Sequence, residues 1–400
     1  MVALIPRASV SCIVPVMRRS FIALAGLTVA LVAFSPSGIA AQRQTSTAPA
    51  RTSATACTTA TPECTEFVTL KGGPSRSMIY RTYALDAANP AITRALIMVH
   101  GTNRNADHYF DTAKAAAFLA GAIADTVVIS PRIASADGSC KDVLATNEVS
   151  YTCGGDSWKS GGNSVSNKDI SSFDFMDAIL RKLADKKTFP NLTSIVVAGH
   201  SAGGQFANRY SMTNKVHGTL GVNISYVVAN PSSYAWPDAT RPVMVDDALP
   251  ANAVKAWESE EVHTKFTFGT AVTRQPGAAG RPEQNCDATY DRWPTGLVNR
   301  AAVNGYTASS SDDQLKKQLA ERPVTYLLGQ VDTLPLGGFD SSCAAMAQGA
   351  TRRARGEAFA KFVNETLGAK HRIAIVPECG HNDRCMYTTD AVFPFIFPKS

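Results

Sequence analysis

Ser201, Asp332 and His381 are the residues of this 400-residue chain whose types, order and neighbours could together do covalent chemistry. Ser201 is central in Gly199-His200-Ser201-Ala202-Gly203, after the β-branched apolar run 192–198 and before a stretch, 205–212, that can continue as a helix. A G-x-S-x-G between strand and helix is a turn so tight that the positions two before and two after the serine must lack bulk. The turn lifts the hydroxyl to its apex. A serine hydroxyl is a poor nucleophile until an imidazole takes its proton, and the imidazole needs a carboxylate to hold its tautomer. The oxyanion that develops on attack needs backbone N–H donors already in place, each contributing roughly 2.7–4 kcal/mol. Serine is also a favoured N-cap, so the five-residue pattern alone leaves a capping role for Ser201 open.

The base and the acid are sought where buried strands end, because active groups of an open α/β sheet gather beyond the carboxyl ends of strands. Asp332 follows the apolar run 324–328 in Gly329-Gln330-Val331-Asp332, and His381 follows the last such run, 373–376. Asp332 also suits a plain turn, and Asp340, Asp291, Asp312 and Asp313 are its competitors. Among seven histidines, His108, His217 and His263 fall in expected helix or cap, and His371 opens a strand. His200 adjoins the serine and cannot turn back onto it, while His100 suits support of an oxyanion loop. That leaves His381 as the base, its alternative being an ordinary surface histidine. The oxyanion donors would be the N–H groups of Ala202 and of Thr102 (or Asn103) after His100-Gly101.

Stepping through the elements that must carry these groups, residues 66–70 and 78–85 form an antiparallel pair joined at Gly72-Gly73-Pro74. Residues 94–99, 126–130, 192–198, 224–229, 324–328 and 373–376 are short, wholly apolar runs of the kind buried on both faces. Helices are expected over 106–119, over 173–184 behind a Ser171/Asp174 capping box, over 205–212 and over 351–367. Strands alternating with helices predict a mostly parallel α/β sheet covered on both sides. Residues 133–168 form a long polar loop, and 234–322, broken by repeated prolines and glycines, reads as an inserted cap.

Residues 1–42 stand apart. Arg18 and Arg19 precede the apolar run 21–34, and small residues near Ala40 and Ala41 follow, which is the pattern of a cleaved signal peptide. The run is shorter than the ~20 residues a membrane span needs, so no stable insertion is expected after cleavage. A retained anchor is the alternative. Losing Arg7, Arg18 and Arg19 lowers the formal net charge from +6 to about +3, a mild excess that argues against nucleic acid as partner. Residues 43–65, rich in Thr, Ala, Ser and Pro, read as a flexible leader. Eight cysteines remain, an even number that in an exported chain reads as disulfides. Spacing favours sequential pairs Cys57–Cys64, Cys140–Cys153, Cys286–Cys343 and Cys379–Cys385, the last bracketing His381. No C-x-x-C is present, and no metal site is expected.

From about residue 66 to the C-terminus the chain resembles the α/β-hydrolase superfamily, through Val99-His100-Gly101, the Gly199–Gly203 elbow, Asp332 and His381. The resemblance implies an eight-stranded sheet, acyl transfer through an acyl-serine, and no cofactor. The Gly-His-Ser-Ala-Gly-Gly elbow with secretion is similar to extracellular esterases, among them feruloyl esterases and polyester depolymerases. Ala202 departs from the aromatic-Ser-Met-Gly elbow of cutinase-like enzymes, and His-Gly-Thr-Asn departs from an H-G-G-G oxyanion loop. The expected substrate is therefore a small-molecule or polymeric carboxylic ester, including aryl esters and polyesters. An amidase or serine peptidase would use the same triad, and a non-catalytic binding module would share the fold. Trp158, Trp236, Tyr290 and Trp293 are the candidate aromatic walls of its pocket.

Overall fold

The protein is described by a computed structural model over residues 55–244, 266–270, 274–275, 284–285 and 290–398. The expected signal peptide, 1–42, lies outside the described residues. Eight strands form the main sheet: β1 Thr65–Thr69, β2 Arg76–Arg81, β3 Arg94–Val99, β4 Thr126–Pro131, β5 Ser194–His200, β6 Asn223–Ala229, β7 Val324–Gly329 and β8 Arg372–Val376. Their spatial order is β1-β2-β4-β3-β5-β6-β7-β8. β2 is antiparallel to both neighbours, and every pairing from β4 onward is parallel.

The period of two along each strand sends alternate side chains to two separate cores. Ala95, Ile97 and Val99 of β3 and Ile195 and Val197 of β5 join one core; Leu96, Met98, Val196 and Ala198 join the other. This is why the central runs are apolar without interruption. Fully burying each large aliphatic side chain contributes about 1.5–3 kcal/mol. On the second face lies α1, Ala106–Leu119, through Tyr109, Phe110, Ala113, Ala116 and Ala117. The first face is covered by α2 Ser172–Leu183, α3 Ala202–Thr213, α4 Asp312–Glu321 and α5 Arg352–Thr366. The Ser171/Asp174 capping box starts α2, with both reciprocal bonds made.

Some boundaries differ from the expectations. β2 stops at Arg81 rather than reaching 85. Thr82 still exchanges bonds with Val128, after which the Leu85 N–H turns to the Glu66 carboxylate at 2.9 Å. The second half of the expected leader is packed: Cys57–Cys64 is bridged, the Cys57 N–H donates to Thr82 at 2.7 Å, and Cys64 is buried. The ends of the expected cap belong to the main core, since Tyr234, Trp236, Leu315 and Leu319 pack with the sheet. Between them Thr240–Met244 pairs antiparallel with Phe266–Thr270. Cys140–Cys153 and Cys379–Cys385 are also bridged. The expected Cys286–Cys343 pair involves Cys286, which lies outside the described residues. Among the described residues no helix is long and apolar enough to cross a membrane.

Candidate active site

At the end of β5 the backbone reverses through Ser201, which holds φ 58°, ψ −118°, a conformation that a non-glycine residue keeps only when its surroundings enforce it. Enforcement comes from close backbone contacts. The Ser201 N–H donates to the carbonyl of Ala229 at the tip of β6, at 3.0 Å. A Cβ on Gly199 would lie 2.2 Å from the Gly203 carbonyl oxygen, one on Gly203 2.1 Å from that of Val99, and one on Gly204 2.4 Å from that of Ala229. The turn therefore needs three glycines, one more than the G-x-S-x-G pattern specifies. It delivers α3 directly, so that helix begins at Ala202 rather than at 205.

The Ser201 side chain makes no capping bond. Its hydroxyl instead donates to His381 Nε2 at 2.9 Å, and His381 Nδ1–H donates to Asp332 Oδ2 at 2.8 Å. Three residues separated by up to 180 positions thus form one line of proton donors and acceptors. His381 sits on a loop closed by Cys379–Cys385. The Val331 N–H donates to the Cys379 carbonyl at 3.0 Å, and Asn230 donates to that of Gly380 at 3.2 Å.

Asp332 is buried, and its second oxygen meets the buried guanidinium of Arg352 at 3.4 Å. Arg352 also donates to Ser232 Oγ at 3.0 Å and to the carbonyls of Leu336 and Gly337 at 2.7 and 2.8 Å. It ties the carboxylate to the loop that passes over the site. Sequence reading missed Arg352. The available signal was Arg352, Arg353 and Arg355 in the first turn of α5, the wrong sign for a helix N-terminus, where cations are disfavoured.

His100, buried, has its roles fixed by its partners. Nδ1–H donates to the Gly101 carbonyl at 2.9 Å, and Nε2 accepts from the Ile133 N–H at 3.2 Å. Burial lowers its pKa to about 4, so the ring is neutral and holds the Gly101-Thr102 turn as a neutral strut. A Cβ on Gly101 would lie 3.8 Å from Ser201 Cβ, which sets that turn beside the serine. The Ala202 N–H is the first of α3 and has no acceptor within its own helix. His200 is buried with its ring centroid 4.6 Å from that of His381, and Tyr109 hydroxyl lies 3.1 Å from its Nδ1. Burial, with the nearby His381 and Arg352, pushes its pKa well down. A neutral ring thus backs His381.

The aromatic residues lie elsewhere than expected. Trp158 is buried, 5.1 Å from the His100 ring and 5.2 Å from the Arg104 guanidinium. Trp236 packs in the core against Phe359 and Phe362, and Trp293 is buried in the same cluster. Tyr290 donates its hydroxyl to the Ala239 carbonyl at 2.8 Å. Among the described residues, none of the four lines the cavity next to Gln205 and Ser232. That cavity, about 340 Å³, is lined by Asp156, Lys159, Gln205, Ser232, Asp340 and Ser342 with two glycines. Large aromatic surface gains more by full burial than by lining a wet cleft, and here the core had room for it.

Residues 96–393 match the profile of the alpha/beta hydrolase family. Among solved structures, poly(aspartic acid) hydrolase-1 from Sphingomonas sp. KT-1 is similar at TM-score 0.51 and 21% identity, over 80% of this chain and 94% of that one. The poly(3-hydroxybutyrate) depolymerase LpqC from Bordetella parapertussis is similar at TM-score 0.52 and 18% identity, over 83% of this chain and 90% of that one. No curated protein matches the chain.

Proposed function

The chain belongs to the alpha/beta hydrolase family, and we propose that within it the protein is an exported serine hydrolase of carboxylic esters. The observation that carries this reading is the continuous Ser201–His381–Asp332 line, with 2.9 and 2.8 Å between successive members. Ser201 Oγ attacks the ester carbonyl while His381 Nε2 takes its proton. Asp332 holds Nδ1–H and balances the imidazolium that forms. The N–H groups of Ala202 and Thr102 receive the oxyanion. Collapse of the tetrahedral intermediate expels the alcohol, protonated by His381, and leaves acyl-Ser201. Water then repeats the sequence in reverse, with His381 as its base, and releases the acid.

A binding module would have no use for a strained serine in hydrogen-bond reach of a carboxylate-held imidazole. The three disulfides seen among the described residues, Cys57–Cys64, Cys140–Cys153 and Cys379–Cys385, support export to an oxidising compartment. The depolymerase likeness makes polymeric esters part of the range to assay. Ser201→Ala should abolish turnover of a short p-nitrophenyl ester and labelling by a fluorophosphonate, with the thermal midpoint unchanged within about 2 °C. Turnover that survives the substitution rejects Ser201 as nucleophile.

A further inference from the structure

Resting on the ester-hydrolase reading, we infer that the substrate portion seated beside Ser201 is a short, neutral, hydroxyl-bearing group rather than an aryl ring or a long alkyl chain. The cavity of about 340 Å³ is near the small end of the ~300–1,000 Å³ usual for small-molecule sites. Two of its lining residues, Gln205 and Gly338, lie close to the segments that carry Ser201 and Thr102. Gln205 lies one helical turn after Ser201 and donates its N–H to the Ser201 carbonyl at 3.0 Å. A Cβ on Gly338 would lie 3.7 Å from Thr102 Cγ2.

Among the described residues, every side chain lining the cavity is polar. Gln205, Ser232, Ser342 and Asp340 each make a bond within the protein, and an apolar group would strip water from the polar atoms this leaves free without replacing the water's hydrogen bonds. Each donor or acceptor left unpaired there weakens binding. A hydroxylated group restores those bonds. Net charge decides between a neutral and a charged ligand. Asp156 is paired with Lys159, and the buried guanidiniums of Arg209 and Arg355 behind the cavity are opposed by Asp156 and Asp340. The wall presents donors and acceptors of both signs, which suits alcohols rather than a carboxylate or an amine. Two of the candidate aromatic walls, Trp158 and Trp236, are buried in the core.

The test compares matched esters on the full-length protein. In the acyl series, p-nitrophenyl 3-hydroxybutyrate is set against the butyrate and the benzoate. In the alcohol series, glyceryl butyrate is set against propyl butyrate. A kcat/KM at least tenfold higher for the hydroxylated member in one series is expected, and the ratio should shrink at least threefold in Ser342→Ala or in Asp340→Leu. An alkyl or aryl preference in both series overturns the inference alone, as does a hydroxyl preference that neither variant alters. If no ester in either series is turned over, the ester-hydrolase reading itself falls, and this inference with it.

Discussion

Arg352 is where a single side chain carries the most consequence. A buried cation that bonds one carboxylate oxygen and two loop carbonyls ties Asp332, the proposed acid, to the loop through Leu336 and Gly337. Removing a partner of a buried pair is costly, about 3–5 kcal/mol, because a charge is left uncompensated. Lysine keeps the charge but cannot span four acceptors with a planar fork. Arg352→Lys should therefore fold, lower kcat about 10²-fold through misplacement of Asp332 and its loop, and leave KM within a few-fold. Its pH profile should also move, because the environment of the Asp332–His381 pair changes. A variant with an unchanged profile and unchanged kcat would show that Arg352 merely fills space.

Among elements, the β5–α3 elbow is the one whose geometry the site depends on most. Gly204 lies against the Ala229 carbonyl as α3 crosses the end of β6. Gly204→Ala should destabilise the protein by about 1–3 kcal/mol, the usual cost of forced overpacking. It should also lower kcat, because relief requires α3 to lift and carry Ser201 away from His381. A urea midpoint and a kcat equal to those of the parent would refute this account. The elbow was legible in the sequence because its glycines are local. The contact of Gly204 on Ala229 was not, since it sets α3 against the tip of β6, a neighbour that only the sheet order supplies. The apolar runs of β3, β5 and β7 were legible for a related reason: burial on both faces leaves no polar position to confuse the pattern. The Trp residues were misleading, because a tryptophan that lines a pocket and one that fills a core have the same sequence signature.

At the scale of the molecule, burial of ionisable groups sets the response to acid. His100 and His371 have pKa values lowered to about 4 by burial, against an unfolded value near 6.5. A lowered imidazole contributes stability above pH 6.5 that is lost as pH falls towards 4, on the order of 3 kcal/mol per group. Asp177, bonded to the hydroxyls of Tyr210 and Tyr306, is raised to about 6 by burial and acts in the opposite sense. Its contribution is complete below its unfolded value of about 4 and lost as pH rises through 6, again on the order of 3 kcal/mol. The two histidines outweigh it. The urea midpoint should fall between pH 6.5 and 4, and Asp177→Asn should make the fall steeper. A midpoint that stays level down to pH 4 would contradict this balance.

What the chain determines by itself is local and ordered: a strand, a glycine-flanked serine, and an aspartate and a histidine each placed just past a later apolar run. Short-range sterics and the period of burial write those features directly into neighbouring residues. What only the tertiary structure decides is convergence. The sheet order brings the ends of β5, β7 and β8 together, so that Ser201, Asp332 and His381 meet within hydrogen-bond distance. It also turns Arg352 inward to Asp332 and sends Trp158, Trp236 and Trp293 to the core, while polar side chains around Gln205 and Ser232 line a cavity. These outcomes depend on which distant surfaces compete for the same buried volume, and no spacing along the chain encodes that competition.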